Sequence, residues 1–266
     1  MRNIFILLFT LCFVMCAPRQ SDNTISVDLD HPEKASLFDY FSSIELIPLE
    51  TSSDALVQAL TKVVEHEDKY YALDKPQCLI FVFDKAGKFL YKIGTKGQGA
   101  GEYAFISDFN INPFSGNLEI LEPYGRIHVY SLLGDFIETK RISYPEFKVA
   151  HSLAALDNDI YVSHSLFEPK KIAYFDLNKQ ELLHEEFEED MAIGSYSQIP
   201  YQYKDEWFFY RPFHPIVYKI GKNQLEASFK FEFGKYTKHG RTDVISQEDK
   251  INFTKNKEEM YAQFSY

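Results

Sequence analysis

Four segments of this 266-residue chain align with one another at a nearly constant interval. They are KYYALDKPQCLIFVFDKAGKFLYKI (69–93), NLEILEPYGRIHVYSLLGDFIETKRI (117–142), DIYVSHSLFEPKKIAYFDLNKQELLHEEF (159–187) and EWFFYRPFHPIVYKIGKNQLEASFKF (206–231). Anchored on the end of their middle apolar run, at Asp84, Ser131, Asp176 and Lys219, they are spaced 47, 45 and 43 residues apart. A period of this length means one supersecondary unit used repeatedly, each copy burying its apolar face against the next.

Within each unit the apolar residues alternate with a period of two, as in strands. Short aromatic and β-branched runs (YYALD, LEILE, IYVSH, WFFYR) are each followed by a break, a second run (LIFVF, IHVY, IAYF, IVYKI), a tight turn and a third run. One more apolar segment precedes each set: LTKVVEH, DFNIN, HSLAAL and IPYQY. The chain holds 24 Phe and 18 Tyr, rings that favour strands, and its breaks are rich in Gly, Asn, Asp and Pro. Four antiparallel strands per unit at this period predict an all-β fold. The expected form is a β-propeller, in which four-stranded blades pack radially about a central channel.

The stretch FDKAGKFLYKIGTKGQGAGEYAFISDFNINPFSGNLEILEPYGRIHVYSLLGDFI (83–137) resembles consecutive NHL-type propeller repeats. The matching features are the turn Gly87, Lys88 and Phe89; the crossing with Gly97, Gly99, Gly101 and Tyr103; and the strand pair with Gly125, Arg126, Ile127, Val129 and Tyr130. With IELIPLET (44–51) ahead of the first unit, the chain is similar to the six-bladed propeller lipoproteins of Bacteroidetes. The resemblance implies blades over residues 41–233. A six-bladed ring would need about 270 residues beyond a leader, so four visible blades imply a chain that stops before its last two. Residues 234–266 are polar, and SQEDKINFTKNKEEMYAQF (246–264) reads as a helix with Ser246 at its N-cap and Asp249 three residues on. That tail is expected to be a partly helical inter-blade excursion or a truncated C-terminus. A cap on an incomplete arc is the alternative.

Residues 1–16 lie outside the repeat. Arg2 supplies a positive start, and Ile4 to Met15 form an apolar run too short to span a bilayer. The run ends at Cys16 and a polar APRQSDNT, with residues 17–40 read as a tether and first strand. This arrangement resembles a bacterial lipoprotein signal, which implies that Cys16 becomes the lipid-bearing first residue of the mature chain. A plain secretory signal is the alternative. The implied location is the cell envelope, as an outer-membrane lipoprotein facing periplasm or surface, touching the membrane only through its lipid. Cys78 would then be the one thiol left, so no intrachain disulfide can form. A net charge of −11 argues against generic binding to nucleic acid or to anionic membranes.

The glycine run IGTKGQGAGEY (93–103) invites comparison with a phosphate cradle, which needs a helix directly after it. Here EYAFISDF leads into a strand, so the run reads as a blade-to-blade crossing. The eight histidines are scattered and none shows ligand spacing, and DLDHPE and LDNDI lack a calcium-loop pattern. There is no G-x-S-x-G and no S-x-x-K. No metal or cofactor is expected.

Chemistry-bearing residues gather in the loops between the second and third strands: KPQC, EPYGR, SLFEPKK and RPFHP. These carry Tyr124, Arg126, Phe167, Lys170, Lys171, Arg211, Phe213 and His214. Rings beside cations suit sugars or carboxylated ligands. Solvated cations on proline-stiffened turns are the bland alternative. The expected function is a lipid-anchored binding or scaffold module for a glycan, peptide or protein. The alternative is a propeller enzyme, lyase or glycoside-active, that uses the channel.

Overall fold

The computed structural model describes residues 23–31, 33–143, 147–165, 170–188, 200–204, 206–210 and 215–234. A short β1 (Thr24–Ser26) and a single 3-10 turn at Leu37–Asp39 precede four repeated sheets. The first blade is β2 (Leu60–His66), β3 (Lys69–Asp74), β4 (Leu79–Asp84) and β5 (Phe89–Ile93). The second is β6 (Asp108–Ile111), β7 (Leu118–Leu121), β8 (Arg126–Tyr130) and β9 (Phe136–Arg141). The third is β10 (Ser152–Ala155), β11 (Ile160–His164), β12 (Lys170–Asp176) and β13 (Glu181–Glu188). The fourth is β14 (Tyr201–Tyr203), β15 (Glu206–Phe209), β16 (Ile216–Ile220) and β17 (Leu225–Glu232). Each is an antiparallel meander, and the four stand in a ring like a four-bladed propeller. The N-terminal β1 adds a fifth strand to the last blade, parallel to β17 from Thr24↔Lys230 to Ser26↔Glu232.

The residues that anchor the repeat in the sequence have a structural task. Asp84 Oδ1 accepts from the N–H groups of Ala86 and Lys88 at 2.9 Å each. Ser131 Oγ accepts from Leu133 at 3.2 Å and Asp135 at 3.1 Å, and Asp176 Oδ1 from Lys179 at 2.9 Å. Each side chain thereby caps the turn from its blade's third strand to its fourth. Lys219 cannot accept, and its blade closes the turn through the backbone, Gly221 N–H to Gln224 C=O at 2.9 Å. All four blades also carry a register shift between third and fourth strands, at Val82/Phe83, Val129/Tyr130, Tyr174/Phe175 and Val217/Tyr218. In every case it falls on the two residues before the anchor. A bulge there increases the local twist that an outer strand needs.

The core lies between blades. Tyr71, Ile80, Val82, Phe109 and Ile120 join the first to the second. Leu121, Ile127, Leu153, Tyr161 and Phe175 join the second to the third. Val162, Ile172, Tyr174, Trp207 and Phe209 join the third to the fourth. On the first blade's other face, Ala72, Phe81 and Phe83 are covered instead by an extended segment through Leu49, Ala55 and Val57. The residues leading into that segment are exposed, among them Phe38, Tyr40 and, at 89%, Leu46. Among the described residues no helix is long and apolar enough to cross a membrane.

Candidate functional site

The first strand of each blade faces the axis of the ring, so its polar residues decide what the channel offers. Lys62 of β2 reaches the second blade, where its ammonium donates to Asp108 Oδ1 at 2.8 Å and Asn110 Oδ1 at 2.7 Å. The Lys62–Asp108 pair is almost wholly shielded from solvent. Asp108 also accepts from the Leu153 N–H at 3.3 Å, and Asn110 Nδ2 donates to the Leu153 carbonyl. Three blades are thus tied together by polar groups on their innermost strands.

Below this knot lies a cavity of about 270 Å³. Its walls come from three blades: Val63 and Glu65 of β2, Asn110 of β6, and Tyr201, Gln202 and Trp207 from the fourth. Rings offer flat apolar faces, while amides and charged groups offer hydrogen bonds.

Lys75 stands in the turn from β3 to β4, where its carbonyl accepts from the Cys78 N–H at 3.1 Å. Burial holds its ammonium below the ordinary lysine range, an effect that Asp108 opposes and Lys62 reinforces. His151, in the crossing just before β10, is held below the ordinary histidine range first by burial and then by the positive charges of Lys75 and Lys171.

The loop residues expected from the sequence meet different fates. Tyr124 stands 68% exposed at the tip of its turn. Arg126 pairs through Nε with the buried Glu122. Glu122 also accepts from the Ala104 N–H at 3.1 Å and lies 3.5 Å from His128 Nε2, whose Nδ1 contacts Thr139 Oγ1 at 3.0 Å. Burial lowers the His128 pKa against the pull of Glu122. Arg126 is thus engaged in holding a blade crossing. Lys170 and Lys171 open strand β12 rather than lying in a loop, because the Ser165 N–H donates to the Lys171 carbonyl at 2.9 Å and extends the ladder. Lys171 is 2% exposed, so it is buried within its blade and does not stand on a solvated turn. Phe167, Arg211, Phe213, His214 and Cys16 lie outside the described residues, as do residues 235–266 and the side chain of Lys170.

The glycine run is a crossing, as its context indicates. Gly94 has φ +94°, and a Cβ there would lie 1.7 Å from Tyr103 Oη. The Tyr103 N–H donates to Thr95 C=O at 3.2 Å, and its carbonyl accepts from Gly97 N–H at 3.1 Å. The loop folds back on itself to seat Tyr103 in the core between blades one and two. Lys62, Asp108, Asn110, His151 and Trp207 were not singled out by the sequence motifs. The available signal was the presence of polar residues inside LTKVVEH and DFNIN, segments already expected to be the first strands of their units. Among the described residues, no three His, Cys, Asp or Glu side chains group as a metal site would need.

Radial four-stranded sheets around a polar channel define a β-propeller. The chain belongs to the family described as domain of unknown function DUF4934, matched over residues 22–266. Among solved structures it is similar to a Bacteroides fragilis protein named as exported, with 19% identity and a TM-score of 0.66 over 89% of this chain and 65% of that one. A DUF4221 member from Bacteroides vulgatus matches at 13% identity and a TM-score of 0.47, over 71% and 62% of the two chains. Streptogramin B lyase matches at 15% and 0.42, over 63% and 53%. The first likeness shows the fold, and this chain spans slightly under two thirds of that protein's length. No curated protein matches the chain.

Proposed function

We propose that this protein is an exported binding or scaffold module, held at the cell envelope by a lipid on Cys16, that receives a glycan, peptide or protein partner at its channel. The observation that carries the reading is the cavity of about 270 Å³ whose ring-bearing, amide and charged walls come from three separate blades. A concave site with a few convergent polar groups is where a fold of this kind places recognition. The fold alone does not name a ligand. Tyr124 and Arg126, with Phe167, Lys170, Lys171, Arg211, Phe213 and His214, are the residues this reading assigns to meeting the partner. The name of the Bacteroides fragilis relative supports export.

The blades are of the NHL-like, six-bladed type in this reading. Support comes from the first blade's other face, where the segment through Leu49, Ala55 and Val57 covers Ala72, Phe81 and Phe83 in place of a neighbouring blade.

Trp207 is the chain's single tryptophan and lines the cavity, so its emission reports entry. Titration with panels of oligosaccharides and peptides is expected to give a saturable emission change with one class. Binding that leaves Trp207 emission unchanged would place recognition elsewhere and overturn the channel reading. Anchoring is tested separately: a fatty-acid label should appear on the wild-type protein and vanish in Cys16→Ala, and an unlabelled wild type removes the lipid anchor.

A further inference from the structure

We infer that the partner received by this channel is a short peptide with both termini free, its ammonium met by Glu65 and its carboxylate by Lys204. The inference rests on the binding reading above and deepens it. Both residues line the cavity, Glu65 from blade one and Lys204 from blade four. Glu65 stands one residue before the end of β2, and Lys204 directly follows β14. The two opposite charges therefore occupy similar places in their blades, where the first strand turns into the second, on separate walls of one cavity.

The other charged wall is already committed. Lys62 gives its ammonium to Asp108 at 2.8 Å and Asn110 at 2.7 Å, and the Asn110 amide donates in turn to Asp108 at 3.3 Å. The Glu65 carboxylate makes no ion pair or hydrogen bond among the described residues, and Lys85, a cation that feels its charge, is held by Asp68 at 2.6 Å. Lys204 makes no ion pair among them either. Its ammonium rests over the Tyr203 ring, 5.3 Å from the centroid. The Gln202 side chain on the same wall has an uncommitted amide, able to donate and accept as a peptide group requires.

An open anion and an open cation in one cavity select a ligand that carries both charges, which a neutral sugar does not. Val63 and Trp207 add apolar surface for a side chain. The volume of about 270 Å³ is at or below the small end of the roughly 300–1,000 Å³ typical of ligand pockets, which fits a peptide of a few residues.

The test is calorimetry on the whole mature protein with Ala-Leu-Ala, its N-acetyl, C-amide and doubly blocked forms, and maltotriose, with Trp207 emission recorded in parallel. The free tripeptide should bind about tenfold more tightly than the doubly blocked one, and more weakly as salt rises. Glu65→Gln should become indifferent to acetylation of the amine, and Lys204→Gln to amidation of the carboxylate, each losing about threefold to tenfold toward the free tripeptide. Both side chains are exposed, so the variants should melt as the wild type does. Equal binding of free and blocked tripeptides would overturn the charge inference while leaving the binding module intact. A variant that still distinguishes its blocked end would overturn the role of that residue. Tighter binding of maltotriose, or binding of no tripeptide, would overturn the peptide. Binding heat with a silent Trp207 toward every probe would overturn the channel reading itself.

Discussion

Asp74 and Glu122 occupy equivalent ends of the second strand in blades one and two, and they do the same work. Asp74 accepts from the N–H groups of Gln58 at 2.5 Å and Ala59 at 3.3 Å, in the run-in to its own first strand. Glu122 accepts from Ala104 at 3.1 Å, likewise in the run-in to its own blade's first strand. A buried carboxylate thus pins each incoming segment to its blade. Burial pushes the Asp74 pKa up, but hydrogen bonds from the Gln77 side chain and backbone, Gln58 and Ala59 outweigh it and leave the group lowered. Its folded pKa lies below its unfolded one, so its stabilisation is complete above the ordinary carboxylate range. It is lost as pH falls through the folded value. Asp74→Asn should cost about 1–3 kcal/mol at neutral pH and flatten the acid limb of stability, read as urea midpoints against pH. The sequence showed this position only as the end of YYALD. Its role depends on a partner sixteen residues earlier, which no local pattern reports.

At the scale of elements, the period-two runs and the turn residues were legible because both are local. Asp84, Ser131 and Asp176 cap turns within four residues of themselves, which explains why they made good anchors. The bulges two residues earlier were not legible, since they answer the twist between neighbouring strands. Lys171 was misplaced because a proline in SLFEPKK suggested a longer loop, while the ladder of β11 and β12 continues to it. Contacts between blades were beyond any such reading. Tyr161 of the third blade donates to Glu119 Oε1 at 2.7 Å and accepts from Asn112 Nδ2 at 2.9 Å, with Lys140 Nζ 3.5 Å from the same glutamate. These groups come together across a separation of up to 49 residues. Tyr161→Phe should destabilise the protein by about 1–3 kcal/mol in chemical denaturation, and its effect should couple with that of Asn112→Ala rather than add. Simple additivity would show that the blades are not joined there.

Over the whole molecule, an acidic chain builds three packed seams and clasps its last blade with an N-terminal strand. The repeat made the ring legible. The channel was not, because its walls draw single residues from segments about 45 positions apart in the repeat. Sequence motifs pointed to the loop face, whereas the structure gathers the polar chemistry one layer deeper, on Lys62, Asp108, Asn110 and Trp207. That the channel is where a partner is recognised is the central claim, and Val63 tests it. It lines the cavity, is 43% exposed and stands on an inner strand whose neighbours hold the blades together. Val63→Phe should fill the cavity without adding a second fluorophore of the tryptophan kind. Ligand titration of Trp207 emission in this variant should show affinity reduced by about tenfold or more, with the folded protein's melting temperature little changed. Wild-type affinity in a folded Val63→Phe protein would contradict the account.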